Sequence, residues 1–105
     1  MKKVFISGKI TGEPPVYCAA KFIFKRDELL KPETDFSVAI NPLEITGIHF
    51  GISHEDAMNL CLDELKTCTH IYMLKDWKDS KGAMMEHQFA IDNGIEVIYE
   101  GSESC

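Results

Sequence analysis

A chain of 105 residues, 45% hydrophobic and 27% charged, is sized for a single core and is too apolar to be a disordered segment. Eleven Lys and Arg against seventeen Asp and Glu give a formal charge of −6, which works against cooperative contact with a phosphate backbone and so against a nucleic-acid polymer as partner. The apolar start Val4-Phe5-Ile6 ends at Ser7, Gly8 and Lys9, far short of a secretory h-region, and no other run approaches a membrane span; a cytoplasmic domain with no membrane contact is expected.

In chain order, Lys3 to Ser7 is a short β-branched and aromatic run that stops at Gly8, the pattern of a buried parallel strand followed by a glycine turn. Pro14 and Pro15 open a helix expected from about Val16 to Lys31, with Ala19, Ala20, Ile23, Leu29 and Leu30 as core candidates, and Pro32 with Thr34-Asp35 ends it. Phe36 to Ile40 reads as a second strand, stopped by Asn41-Pro42. Residues 43–52 carry two glycines and no clear period, a loop long enough to cover a site. Ser53, with Asp56 three residues on, caps a helix to about Thr67 whose buried stripe takes in Ala57, Leu60, Cys61, Leu65 and Cys68. His70 to Leu74 is a third strand, Lys81 to Asn93 a helix closed by Gly94 in the left-handed region, and Ile95 to Tyr99 a fourth strand.

Four strands alternating with three helical segments, without an internal repeat, imply one α/β domain over residues 1–105: a parallel sheet with helices on both faces. The favoured order is 2-1-3-4. Its topological switch lies between strands 1 and 3, so the loops after Ser7 and after Leu74 face each other where open α/β proteins bind ligands. The first of these loops, Ser7-Gly8-Lys9-Ile10-Thr11-Gly12, offers backbone amides, two hydroxyls and a cation, suited to a phosphate or a sugar hydroxyl. Its glycines do not match Walker A or G-x-G-x-x-G, and a plain tight turn also accounts for them.

The second loop runs Asp76-Trp77-Lys78-Asp79-Ser80-Lys81-Gly82-Ala83-Met84-Met85-Glu86, from strand through polar segment into helix, with a carboxylate about one turn in. Ser80 is placed to cap that helix, and Gly82 to let a ligand approach free amides, with Glu86 one turn later on the same face. The plain alternative for Glu86 is an exposed helix glutamate. Trp77 either stacks on a ligand ring or anchors packing, and Asn41-Pro42 either lines the crevice or only ends strand 2. Cys18, Cys61, Cys68 and Cys105 lack zinc or thioredoxin spacing. Cys61 and Cys68 lie about 10 Å apart along one helix, beyond the roughly 7 Å a disulfide spans, so free thiols are expected. His49, His54, His70 and His87 complete no metal-ligand spacing with them; neither metal nor cofactor is expected.

Together the segments I-S-G-x-I-T-G at Ile6–Gly12, Asn41-Pro42, C-x-x-I-Y-x-L ending at Leu74 and W-x-x-S-x-G-A-x-x-E ending at Glu86 resemble the nucleoside 2-deoxyribosyltransferase-like superfamily, in its small bacterial and phage-associated subgroup, from Lys2 to about Tyr99. The resemblance implies a three-layer αβα, Rossmann/flavodoxin-like fold and a homodimer. It also implies a small-molecule nucleoside or nucleotide bound by Ser7 to Gly12, Asn41, Pro42, Trp77, Ser80, Gly82 and Ala83, with Glu86 attacking C1′ of the deoxyribosyl group. That chemistry follows retaining glycoside hydrolysis, with a covalent sugar ester passed to water or to a second base. The alternative is a non-catalytic module that binds a nucleotide-like ligand in the same crevice.

Three positions depart from the family pattern. Phe5 stands where relatives commonly have Tyr, and Cys61 and Thr69 stand where they commonly carry aspartates. Asp63 is about 200° round the helix from Cys61 and points elsewhere; Glu64, nearly one turn on, is the better stand-in. His87, next to Glu86 but about 100° round its helix, and a group from a partner subunit are the other candidate proton donors.

Overall fold

The computed structural model describes residues 1–45, 47–48 and 51–101. Strands β1 (Lys3–Ser7), β2 (Val38–Ile40), β3 (His70–Met73) and β4 (Glu96–Tyr99) alternate with helices α1 (Pro15–Leu29), α2 (His54–Leu65) and α3 (Lys81–Asp92), with 3₁₀ turns at Pro32–Thr34, Pro42–Glu44 and Trp77–Asp79. All strand pairs are parallel and the order is β2-β1-β3-β4, as the alternation of elements predicts. Phe5 is the register pin at the centre, opposite Ile40 on one side and Ile71 on the other.

Alternation along β1 and β3 divides the core into two layers. Val4, Ile6, Tyr72 and Leu74 meet Cys18, Phe22 and Leu29 of α1, while Phe5, Ile71 and Met73 meet Cys61 and Leu65 of α2 and Ala83 and Ala90 of α3. The sheet is therefore the middle of three layers, and its two central strands are buried on both faces. Among the described residues no helix is long and apolar enough to cross a membrane.

The ends of α2 and α3 follow from local chemistry. Ser53 and Ser80 each accept a backbone hydrogen bond three residues on, from Asp56 and Ala83, both at 3.1 Å. At the other end of α3, Gly94 at φ +70° lets its own N–H reach Ile91 and that of Ile95 reach Ala90, the paired bonds of a Schellman motif. α1 departs from expectation. Cys18, Phe22 and Leu29 form its buried stripe, whereas Ile23 and Leu30 are about two-fifths exposed and Ala19 and Ala20 only half-buried. The helix is apolar on more than one side, with Val16, Tyr17 and Phe24 also exposed, so periodicity does not select the face that docks.

The second strand is two residues shorter than the apolar run. Ser37 still bonds to the Lys2 carbonyl at 2.9 Å, but Phe36 turns edge-on to the His70 ring instead of extending the ladder. The loop after it is partly ordered by the Pro42–Glu44 turn and packs Ile45 and Ile48 on the α2 layer; Thr46, His49 and Phe50 lie outside the described residues. Cys18, Cys61 and Cys68 are free and buried, and Cys105 lies outside the described residues.

Candidate active site

The carboxyl ends of β1 and β3 are held almost in contact. The Leu74 N–H donates to the Ser7 carbonyl at 2.8 Å, and a Cβ on Gly8 would stand 2.6 Å from Leu74 Cδ1 and 3.0 Å from Leu74 Cβ. Only glycine fits there. Beyond it the Lys9 N–H donates to Asp76 Oδ1 at 2.9 Å, tying the two loops expected to face each other. Lys21 of α1 locks this junction from behind: its Nζ donates to Asp76 Oδ2 at 2.7 Å, to the Lys9 carbonyl at 2.8 Å and to Glu13 Oε1 at 3.1 Å. Burial alone would raise the Asp76 carboxyl, but the bonds from Lys21 and the Lys9 amide outweigh it and hold the group below its ordinary range.

Glu86 lies beneath this junction. It is 6% exposed, against the plain expectation for a helix glutamate, and its Oε1 accepts a 2.6 Å hydrogen bond from the Ser7 hydroxyl. The Cys61 thiol of α2 donates to the same carboxyl. Desolvation pushes the Glu86 carboxyl up to about 7, and the bonds from Ser7 and Cys61 offset only part of that rise. Burial, with the Glu86 charge second, pushes the Cys61 thiol to about 12, which makes it a neutral donor to the carboxylate. Above the carboxyl opens a cavity of about 520 Å³, large enough for a nucleoside-sized ligand. Its walls are the first loop from Gly8 to Thr11, the start of α3 from Asp79 to Ala83, and the inward face of α2.

The DUF4406 family model, a domain of unknown function, matches residues 2–99, from the start of β1 to the end of β4. The chain belongs to the DUF4406 family. It has no significant match among curated proteins or solved structures.

Of the residues singled out in this DUF4406 chain, Gly8, Lys9, Ile10, Thr11, Ser80, Gly82, Ala83 and Glu86 line the one cavity, and Ser7 lies directly under it. Gly12, at φ +85°, turns the first loop but does not line the cavity. Asn41 and Pro42 are also outside it. The Asn41 side chain accepts from the Leu43 N–H at 3.0 Å to cap a 3₁₀ turn, and Asn41 borders a separate hollow of about 190 Å³. Trp77 packs on the far side of α3, its ring 4.3 Å from that of His87 and nearly parallel to it.

His87 and Glu64, the candidate proton donors named from this chain's own sequence, do not line the cavity. His87 Nε2 is 2.7 Å from the Tyr99 hydroxyl, within that aromatic cluster. Glu64 pairs with Lys3 at 3.7 Å, near the opposite end of the sheet, because the one-turn step from Cys61 runs away from the cavity. Thr69 is there too, bonded through its Oγ1 to the Lys3 backbone at 2.9 and 3.0 Å. Sequence reasoning missed His54, Met58, Asp79 and Lys81 in the lining. The signal for His54 was present: it directly follows the Ser53 cap and precedes Cys61 by seven residues, which puts both on one helix face.

Proposed function

We propose that this chain cleaves the N-glycosidic bond of a 2-deoxynucleoside or its monophosphate, with Glu86 as nucleophile, and passes the sugar to water or to a second base. The observation that carries the reading is a buried carboxyl, anchored by Ser7, at the floor of a cavity of about 520 Å³ beyond the carboxyl ends of β1 and β3. Burying a carboxyl beside such a space costs stability, and groups held at that cost cluster at functional sites. The resemblance to the nucleoside 2-deoxyribosyltransferase-like superfamily through Ile6–Gly12 and Trp77–Glu86 supports the same assignment. Glu86 forms an ester with C1′ as the base departs, and the Ser7 hydroxyl fixes the attacking carboxylate in one rotamer. Three buried free thiols suit a reducing cytoplasm.

A second reading, a nucleotide-binding module without turnover, is favoured by Cys61, a neutral thiol where relatives commonly carry an acid. One experiment separates the two. Purine and pyrimidine deoxynucleosides and their monophosphates are incubated with the chain and with Glu86→Ala, and free base is followed by chromatography. The enzyme reading expects base release that the substitution abolishes; saturable nucleotide binding without release would establish the module.

A further inference from the structure

We propose that His54 is the general acid of this site, protonating the departing base while Glu86 takes the sugar. The inference rests on the glycosidic reading above and supplies the proton donor that Cys61, tied to Glu86, does not. His54 opens α2 immediately after its Ser53 cap and lines the same cavity as Glu86. Its ring reaches across to α3, where its Cε1 lies 3.8 Å from the position of a Cβ on Gly82.

Gly82 precedes Glu86 by four residues, so it sits on the same face of α3, about 6 Å earlier along the axis. The imidazole thus borders the turn of α3 that leads to the nucleophile, beside the Met58 sulfur, which lies 3.2 Å from the same Gly82 position. Retaining glycosidases flank the scissile bond with acid and nucleophile, and His54 of α2 and Glu86 of α3 border the same cavity from different elements. Among the described residues no hydrogen bond engages the His54 ring.

In the first half-reaction a bond forms between a Glu86 oxygen and C1′ as the C1′–N bond breaks. The electron pair goes to the base nitrogen, and the proton comes from the imidazolium. In the second half the neutral imidazole takes a proton from water, whose oxygen bonds to C1′ while the ester pair returns to Glu86.

The test compares deoxynucleosides with p-nitrophenyl 2-deoxyriboside, whose leaving group departs without a proton, using the full chain and His54→Gln. The expected result is a loss in kcat of roughly 10²–10⁴-fold on deoxynucleosides and a loss at least about ten times smaller on the nitrophenyl substrate. His54 is exposed, so the variant is expected to melt with the unaltered chain. Equal losses on both substrates, or none on deoxynucleosides, would overturn the role of His54 while leaving the glycosidic reading in place. Absence of turnover by the unaltered chain on either substrate would overturn both.

Discussion

Glu86 is in tension between its surroundings and its use. A carboxyl that titrates near 7 when folded and at 4.5 when unfolded makes its own full contribution to stability below pH 4.5. That stability is lost as pH rises through about 7, because the charged form must then be kept buried. The gap corresponds to about 3 kcal/mol. Glu86→Gln is therefore expected to raise stability at pH 8 by up to about that amount and to change little at pH 4, measured by urea unfolding at the two pH values. A variant equally or less stable at pH 8 would show that the carboxylate is well solvated or well paired. The same titration sets the acid limb of turnover, since only the ionised form attacks: on the nitrophenyl substrate, which needs no proton donor, kcat/KM is expected to rise with pH through about 7. From the sequence, Glu86 was legible as a site residue through its place one turn into α3. Its burial was not, because that depends on Ser7 and Cys61 arriving from elements 79 and 25 residues away in the chain.

At the scale of elements, the crevice is held open by the junction of two loops rather than by the sheet alone. Gly8→Ala places a methyl group 2.6 Å from Leu74, and is expected to cost about 1–3 kcal/mol of stability in a denaturant titration. Lys21→Met leaves Asp76, itself one-quarter exposed, without its cation; a similar loss of about 1–3 kcal/mol is expected, smaller than for a fully buried pair. If Lys21→Met left stability unchanged, the α1 clamp would be incidental. Helix caps and the Gly94 turn were readable because they depend on residues within one turn. The α1 face was not, because Val16, Tyr17, Ile23 and Phe24 make its outer side as apolar as its inner one, and Cys18, Phe22 and Leu29 are the ones that find the sheet. Asn41 illustrates the same limit: its side chain completes a turn three residues long, and nothing in the pair Asn41-Pro42 distinguishes that from lining a site.

For the whole molecule, strand order was legible because alternating short apolar runs and amphipathic helices leave few parallel topologies, and crossover handedness reduces them further. What covers the outer face of α1 is a separate matter. Val16, Tyr17 and Phe24 are 84%, 58% and 73% exposed, and the homodimer proposed from the family resemblance would bury such a patch. Sedimentation equilibrium is expected to give twice the 11.9 kDa chain mass, and Phe24→Glu to give the single chain; a monomer before substitution would remove this proposal. Glu86 is proposed to supply the oxygen that bonds to C1′. The most direct measurement is intact and peptide mass spectrometry after incubation with a 2-fluoro-2-deoxy nucleoside, whose sugar ester hydrolyses slowly. The expected result is one fluorosugar on the peptide containing Glu86 and none on Glu86→Gln. An unmodified protein despite base release, or a sugar on another residue, would contradict it.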